Sequence, residues 1–507
     1  MNIQEAKEQI KNSVKSYLTK NEFGDYVISI EKQRPIILIG APGLGKTAIM
    51  EQVSQELGIN LVAYSMTHHT RQSAIGLPFI SKKNYGGKEY SVSEYTMSEI
   101  IASVYDTVEA TGIKEGILFL DEINCVSETL SPAMLQFLQY KIFGKHRIPD
   151  GWVIVTAGNP PEYNNSVREF DIVTLDRLKK ITVEPDYEVW KKYAYQKNIH
   201  SSIIAYLDAE KQNFYKIETT VNGKQFVTAR AWEDLSEMMK LYELHGLEID
   251  NAFISQYIQH EKISRDFSIF YELYNKYKVK YQVNDILSGT YHSDIVSIAK
   301  SAKFDERMAL LSLLVDAITS EMKNFVNTRT VLEDVLKNLR DFKLKIKTKV
   351  DLTSVLRRYI EKRQIELEKD SKANTLSAEA KYLKKSAIKK LTEYISVFNK
   401  AYTETSDAVE SFEALKARFD RDVSDNSNQQ NEISEKLTNI FEFIKKAFGV
   451  EQEMVVFVTE LTVNYYSAKF ISVCGSKEYY KYNKILMLSE RQKEMKSKLE
   501  NLDLDED

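Results

Sequence analysis

The sequence predicts a parallel α/β domain followed by a long, mostly α-helical region. Three observations predict it. A short, branched apolar run from Ile36 to Ile39 feeds a glycine-rich stretch, Gly40-Ala-Pro-Gly-Leu-Gly-Lys-Thr47, and Thr47 to Leu57 then takes up helical spacing. A second apolar run, Gly116-Ile-Leu-Phe-Leu120, ends in the acids Asp121 and Glu122. From Tyr187 onward strand signals fade and apolar residues recur at helical spacing.

At 507 residues the chain can bury a sizeable core, and this length suggests about two to four domains. A formal charge of −4 provides no global field for nucleic acid, which leaves only local patches. Two cysteines, Cys125 and Cys474, exclude a disulfide framework and point to a reducing, cytoplasmic compartment. No window approaches the apolar length of a membrane span, and Met1 to Lys20 lacks the apolar core of a signal peptide.

Taken in order, residues 2 to 20 read as an amphipathic helix with Ile3, Ala6, Ile10, Val14 and Leu18 on one face, packed on the first domain. Gly40 to Thr47 reads G-x-x-x-x-G-K-T, the phosphate-binding loop. Gly40, Ala41, Pro42, Gly43, Leu44 and Gly45 are expected to form the nucleotide-binding loop, with Gly40, Gly43 and Gly45 permitting the turns that aim successive N–H groups at phosphate oxygens, and the helix starting near Lys46 adds its positive dipole end. Lys46 is expected to reach the β- and γ-phosphates and Thr47 to hold Mg²⁺. Asn60 to Ser65 is a second strand, and the Lys82 to Lys88 turn belongs to an exposed hairpin or loop.

A carboxylate at the C-terminal end of a parallel strand lies beside such a loop. Asp121 is therefore assigned to the Mg²⁺ shell and Glu122 to polarising the attacking water. Ser131 to Gln139 reads as a helix, Ile142 to Ile148 as a hairpin, and the stretch Trp152 to Pro160 as a buried strand ending in Asn159. The Asn159 amide can hydrogen-bond the attacking water or the γ-phosphate. Lys180 to Val183 is the next strand, preceded by Leu175-Asp-Arg-Leu178, and Pro185 closes the domain.

Phe226 to Trp232 is read as opening a helix, with Thr228 as N-cap and Arg230 in the first turn. A cation there opposes the helix dipole, which makes a phosphate a candidate partner for Arg230. Farther on, Leu311, Leu314, Val315, Ile318 and Met322 form one core stripe, and Ile433, Leu437, Ile440, Phe441, Ile444 and Phe448 form another. Asp341 to Val350 alternates strictly, as a strand with four lysines on one side. For this segment and for Tyr479 to Lys484 a solvated face or protein contact is favoured over nucleic acid. Polar breaks at Asp370 to Asn374 and Ser424 to Asn431 are expected to separate helical hairpins, and Leu502 to Asp507 reads as a disordered tail.

Together the phosphate loop, Leu120-Asp-Glu-Ile-Asn124, Gly158-Asn-Pro160, Leu175-Asp-Arg-Leu178 and Thr228-Ala-Arg230 resemble an AAA+ ATPase, and within that superfamily the MoxR-like group, over about residues 25 to 260. The resemblance implies an AAA+ P-loop NTPase core with a five-stranded parallel sheet, a helical lid, and a homo-oligomeric ring, usually a hexamer, with ATP between subunits. The implied divisions are an N-terminal helix (1–24), the α/β domain (25–186), the lid (187–285) and a helical C-terminal region (286–507). Resemblance makes Asn159 the sensor-1 residue and Arg230 the sensor-2 arginine. It also makes Gly76 to Glu94 the insert in helix 2, and Ile142 to Ile148 the hairpin before sensor 1.

An arginine finger must come from a neighbouring subunit. Arg177 matches the family position and is the first choice, with Arg168 the second. The common MoxR pattern carries arginine directly after Asp-Glu-Ile-Asn, where this chain has Cys125. That cysteine reads as a small packed residue, not a nucleophile, and His68 and His69 lack the further ligands of a metal site.

The expected function is Mg²⁺-dependent ATP hydrolysis that remodels or activates a protein partner. By resemblance alone that partner carries a von Willebrand factor A domain. The alternatives are a nucleotide-gated assembly scaffold and a nucleic-acid-linked motor using GTP or ATP.

Overall fold

The computed structural model describes residues 1–485 except 69–73, 75, 128, 164–169, 171, 221–222, 347–351 and 373–375. The chain divides into two compact units, Met1–Val189 with Arg358–Ile388, and Trp190–Arg357 with the chain from Lys389 on.

The first unit holds strands β1 (Ile36–Gly40), β2 (Asn60–Ser65), β3 (Pro78–Tyr85), β4 (Lys88–Tyr95), β5 (Gly116–Asp121), β6 (Ile142–Phe143), β7 (His146–Arg147), β8 (Trp152–Gly158) and β9 (Lys179–Val183). Five of them form one parallel sheet in the order β2-β5-β8-β1-β9. Branched apolar residues suit these strands because helices cover both faces and each strand buries both sets of side chains. Ile36 and Leu38 join Ile49, Met50 and Val53 of the helix Lys46–Leu57 on one face. The N-terminal helix Ile3–Tyr17 adds Ala6, Ile10 and Val14 there, as its apolar stripe predicts. Its start is set by a capping box, Asn2 with Glu5. Ile37 points to the opposite face, with Ile100, Ile101 and Val104 of the helix Glu99–Thr111 and Phe137 and Leu138 of the helix Ser131–Tyr140.

Two antiparallel hairpins stand outside this sheet. β3 and β4 pair along their length around Gly86 and Gly87, and β6 pairs with β7, so both segments read as hairpins are hairpins. They are tied to each other. Glu94 bridges Lys145 and Lys83, whose ammonium groups hold its carboxyl down at about 2, and a ring nitrogen of His146 lies 3.0 Å from the Tyr95 carbonyl oxygen.

The second unit is mainly helical. Leu310, Leu314, Ile318, Met322 and Phe325 of the helix Phe304–Lys345 pack with Ile433, Leu437, Ile440 and Ile444 of the helix Ala408–Phe448. Both predicted core stripes are buried.

Three expectations fail here. Asp341 to Lys345 ends a helix instead of forming a strand, with Lys345 bonded to Asp341 at 2.7 Å one turn back, and 347–350 lie outside the described residues. A helix already many turns long propagates at little cost, and Leu339 and Phe342 are buried at its period, which overrides the local alternation. Ser424 to Asn431 is no break, because the helix Ala408–Phe448 runs through it. Phe412, Phe419, Asn426, Ile433, Ile440 and Ala447 recur every seven residues and are all buried, so the packing frame continues across the polar segment. Phe226 lies not in a helix but in β11 (Gly223–Val227), antiparallel to β10 (Lys216–Thr220), and the helix begins after Thr228.

The other predicted break, Asp370 to Asn374, is helical through Lys372, and 373–374 lie outside the described residues, as does the tail Leu502 to Asp507. Among the described residues no helix is long and apolar enough to cross a membrane.

Candidate active site

The site lies at the C-terminal ends of β1, β5 and β8, where three adjacent parallel strands deliver their following residues to one edge of the sheet. After β1 the loop passes through Gly43 and Gly45 at φ +75° and +82°, a conformation that side chains strongly disfavour, and the helix starts at Lys46. Gly45 is the N-cap and supplies no side-chain cap, which leaves the helix N-terminus suited to an anion.

Lys46 is buried, and its ammonium donates to the carbonyl oxygens of Gly40 (2.8 Å) and Ala41 (2.9 Å) and to Asn159 Oδ1 (2.9 Å). Next to it, Thr47 Oγ1 donates to Asp121 Oδ2 at 3.0 Å. These two hard oxygens are of the kind Mg²⁺ takes directly or through water, so the donor set fits that ion. The other Asp121 oxygen accepts from the Glu122 N–H at 2.9 Å, and Glu122 itself adopts a left-handed backbone, φ +56°. Such a conformation in a residue with a long side chain is uncommon and clusters at functional sites.

The structure thus brings Lys46, Thr47, Asp121, Glu122 and Asn159 together. Two further residues join them. Ser65, at the end of β2 in register with Asp121, donates its hydroxyl to Glu122 Oε2 at 3.2 Å and lies 2.9 Å from the Thr67 hydroxyl. Asn124, two residues beyond Glu122, donates Nδ2–H to the Asn159 carbonyl oxygen at 2.7 Å. Nothing in a lone serine at a strand end marks it in sequence; the register of β2 on β5 is what places it. Asn124 was visible as part of the acidic motif, but its partner is 35 residues away and is set by the sheet order.

The remaining predicted residues lie elsewhere. Arg177 is exposed in the turn between the helix Ile172–Asp176 and β9, and borders a shallow cleft with Pro35, Leu138 and Gln139. Arg230 belongs to the second unit, exposed in the first turn of the helix Ala229–His245, whose N-cap Thr228 accepts from the Ala231 N–H. Arg168 and His69 lie outside the described residues. Burial, and then the charges of Glu122 and Asp121, push the Cys125 thiol above its usual range, which disfavours the thiolate a nucleophile needs.

Residues 36–175 match the family described as ATPase family associated with various cellular activities (AAA). No curated protein matches the chain. The matched stretch runs from β1 to the helix before β9 and contains every residue assembled around Lys46. Residues 36–175, with the phosphate loop and the acids at the end of β5, are thus similar to an AAA ATPase domain, and this similarity supports nucleotide binding and hydrolysis.

Proposed function

We propose that this chain is a Mg²⁺-dependent ATPase that works as a ring and spends hydrolysis on remodelling or activating a protein partner, in the manner of the MoxR-like group. The observation that carries the hydrolytic part is the convergence of Lys46, Thr47, Asp121, Glu122 and Asn159 at one sheet edge. The loop N–H groups and Lys46 would bind the ATP phosphates, Thr47 and Asp121 would hold Mg²⁺, which would offset phosphate charge, and Glu122 would align a water for in-line attack. Because Lys46 already uses three oxygen partners, an incoming phosphate exchanges with at least one of them. Asn159 is the partner best suited to register that exchange. Arg177, exposed beside β9, is suited to serve a neighbouring subunit's site. The ring, its subunit number and a von Willebrand factor A partner rest on resemblance.

Glu122→Gln is expected to retain nucleotide binding and lose hydrolysis by about 100-fold or more. Unchanged turnover in that variant would overturn the assignment. Wild type and Glu122→Gln supporting the partner equally well would favour the nucleotide-gated scaffold instead.

A further inference from the structure

Asn124 sits on the short turn Ile123–Cys125 and is buried. While its Nδ2 bonds the Asn159 carbonyl oxygen, its amide also packs on Gly158, where an added Cβ would come within 2.5 Å of Asn124 Oδ1. That Oδ1 is buried and meets no donor among the described residues. Keeping half of a polar group unpaired is a poor choice for stability, since an apolar residue of similar size carries no such penalty. Local rules give way in this manner where a residue serves the site.

The contacts on either side of Asn124 form a continuous path. The Glu122 carbonyl oxygen accepts from the Cys125 N–H at 2.9 Å, which closes the turn that bears Asn124. Asn124 holds the Asn159 backbone, and the Asn159 side chain holds Lys46.

We propose that Asn124 is a positioning residue that locks the Asn159 peptide, aims the Asn159 amide at Lys46 and the phosphate, and couples Asn159 to the turn carrying Glu122. The inference rests on the hydrolytic reading above. Phosphate contact at Lys46 changes what Asn159 bonds, and the change reaches Glu122 through Asn124. Gly158 belongs to the same device, because any side chain there displaces the Asn124 amide.

The test measures steady-state ATP turnover, nucleotide affinity and unfolding temperature for the wild type, Glu122→Gln, Asn124→Ala, Asn124→Asp, Asn159→Ala and the Asn124→Ala/Asn159→Ala pair. Asn124→Ala is expected to lower kcat about 10- to 100-fold with nucleotide Kd within about threefold of wild type. Asn124→Asp, nearly the same size, offers an acceptor where the Asn159 carbonyl needs a donor and is expected to match it. In the Asn159→Ala background, Asn124→Ala adds no further loss, because no amide remains to be aimed. Full kcat in either single Asn124 variant, or losses that multiply in the pair, would overturn the positioning role. A wild type without turnover, or a fully active Glu122→Gln, would overturn the hydrolytic reading and this role with it. Normal behaviour of those two proteins beside multiplying losses would overturn this role alone.

Discussion

At the end of β2, Ser65 holds one carboxylate oxygen of Glu122, the group assigned to the attacking water. A partly exposed bond to a charged group contributes about 1 kcal/mol, so Ser65→Ala is expected to lower kcat about three- to tenfold, leaving nucleotide affinity unchanged. Loss of binding instead would show that Ser65 supports the phosphate loop. Lys141 illustrates a different residue-scale effect. It is buried, donates to Gln33 Oε1 (2.7 Å) and the Trp152 carbonyl oxygen (2.6 Å), and burial pulls its pKa down to about 8 from 10.5. The folded state therefore releases this proton before the unfolded state does, and stability attributable to Lys141 rises as pH climbs from about 8 to about 10.5. Relative to Lys141→Met, the wild type is expected to gain about 1–3 kcal/mol of unfolding free energy across that window, read by denaturant titration. A difference that stays flat with pH would show that Lys141 titrates as an exposed lysine.

Among the elements, the helix Ala408–Phe448 places Asn426 in a slot that its seven-residue packing frame otherwise gives to apolar side chains. Asn426 Nδ2 donates to the Phe325 carbonyl oxygen at 3.4 Å, a long bond. Asn426→Leu is expected to raise stability by about 1 kcal/mol, seen as a higher unfolding midpoint. A lower midpoint would mean that the bond to Phe325 outweighs the added apolar burial. This helix and the end of Phe304–Lys345 show why element boundaries were hard to read. Serine, aspartate and asparagine weaken a helix only by tenths of a kcal/mol each, and a partner helix supplying buried contacts more than offsets that. The β10–β11 hairpin was missed for the opposite reason. Its Ile217, Thr219, Phe226 and Val227 carry β propensity, and the dipeptide Asn222-Gly223 is in sequence a hairpin-turn signal, but long helical patterns on both sides mask it.

For the molecule as a whole, the proposal that Arg177 completes a neighbouring site makes a prediction no single chain can test. Glu122→Gln and Arg177→Ala proteins are each expected to be nearly inactive alone. Mixed, they are expected to regain about a tenth or more of wild-type turnover, because an Arg177→Ala subunit keeps Glu122 and can borrow Arg177 from its neighbour. No recovery on mixing, with both proteins folded and assembled, would place Arg177 outside the shared site.

The sequence by itself determined where the phosphate loop, the strand-end acids and the asparagine after β8 stand in the first domain, because these are local patterns whose spacing reflects strand, turn and helix. It also determined which helical faces are buried, since a stripe at helical period has one apolar side wherever it docks. Only the tertiary structure decided that Ser65 touches Glu122 and that Asn124 holds Asn159. Those contacts depend on β2, β5 and β8 lying side by side, and sheet order is a long-range property that no window of sequence contains.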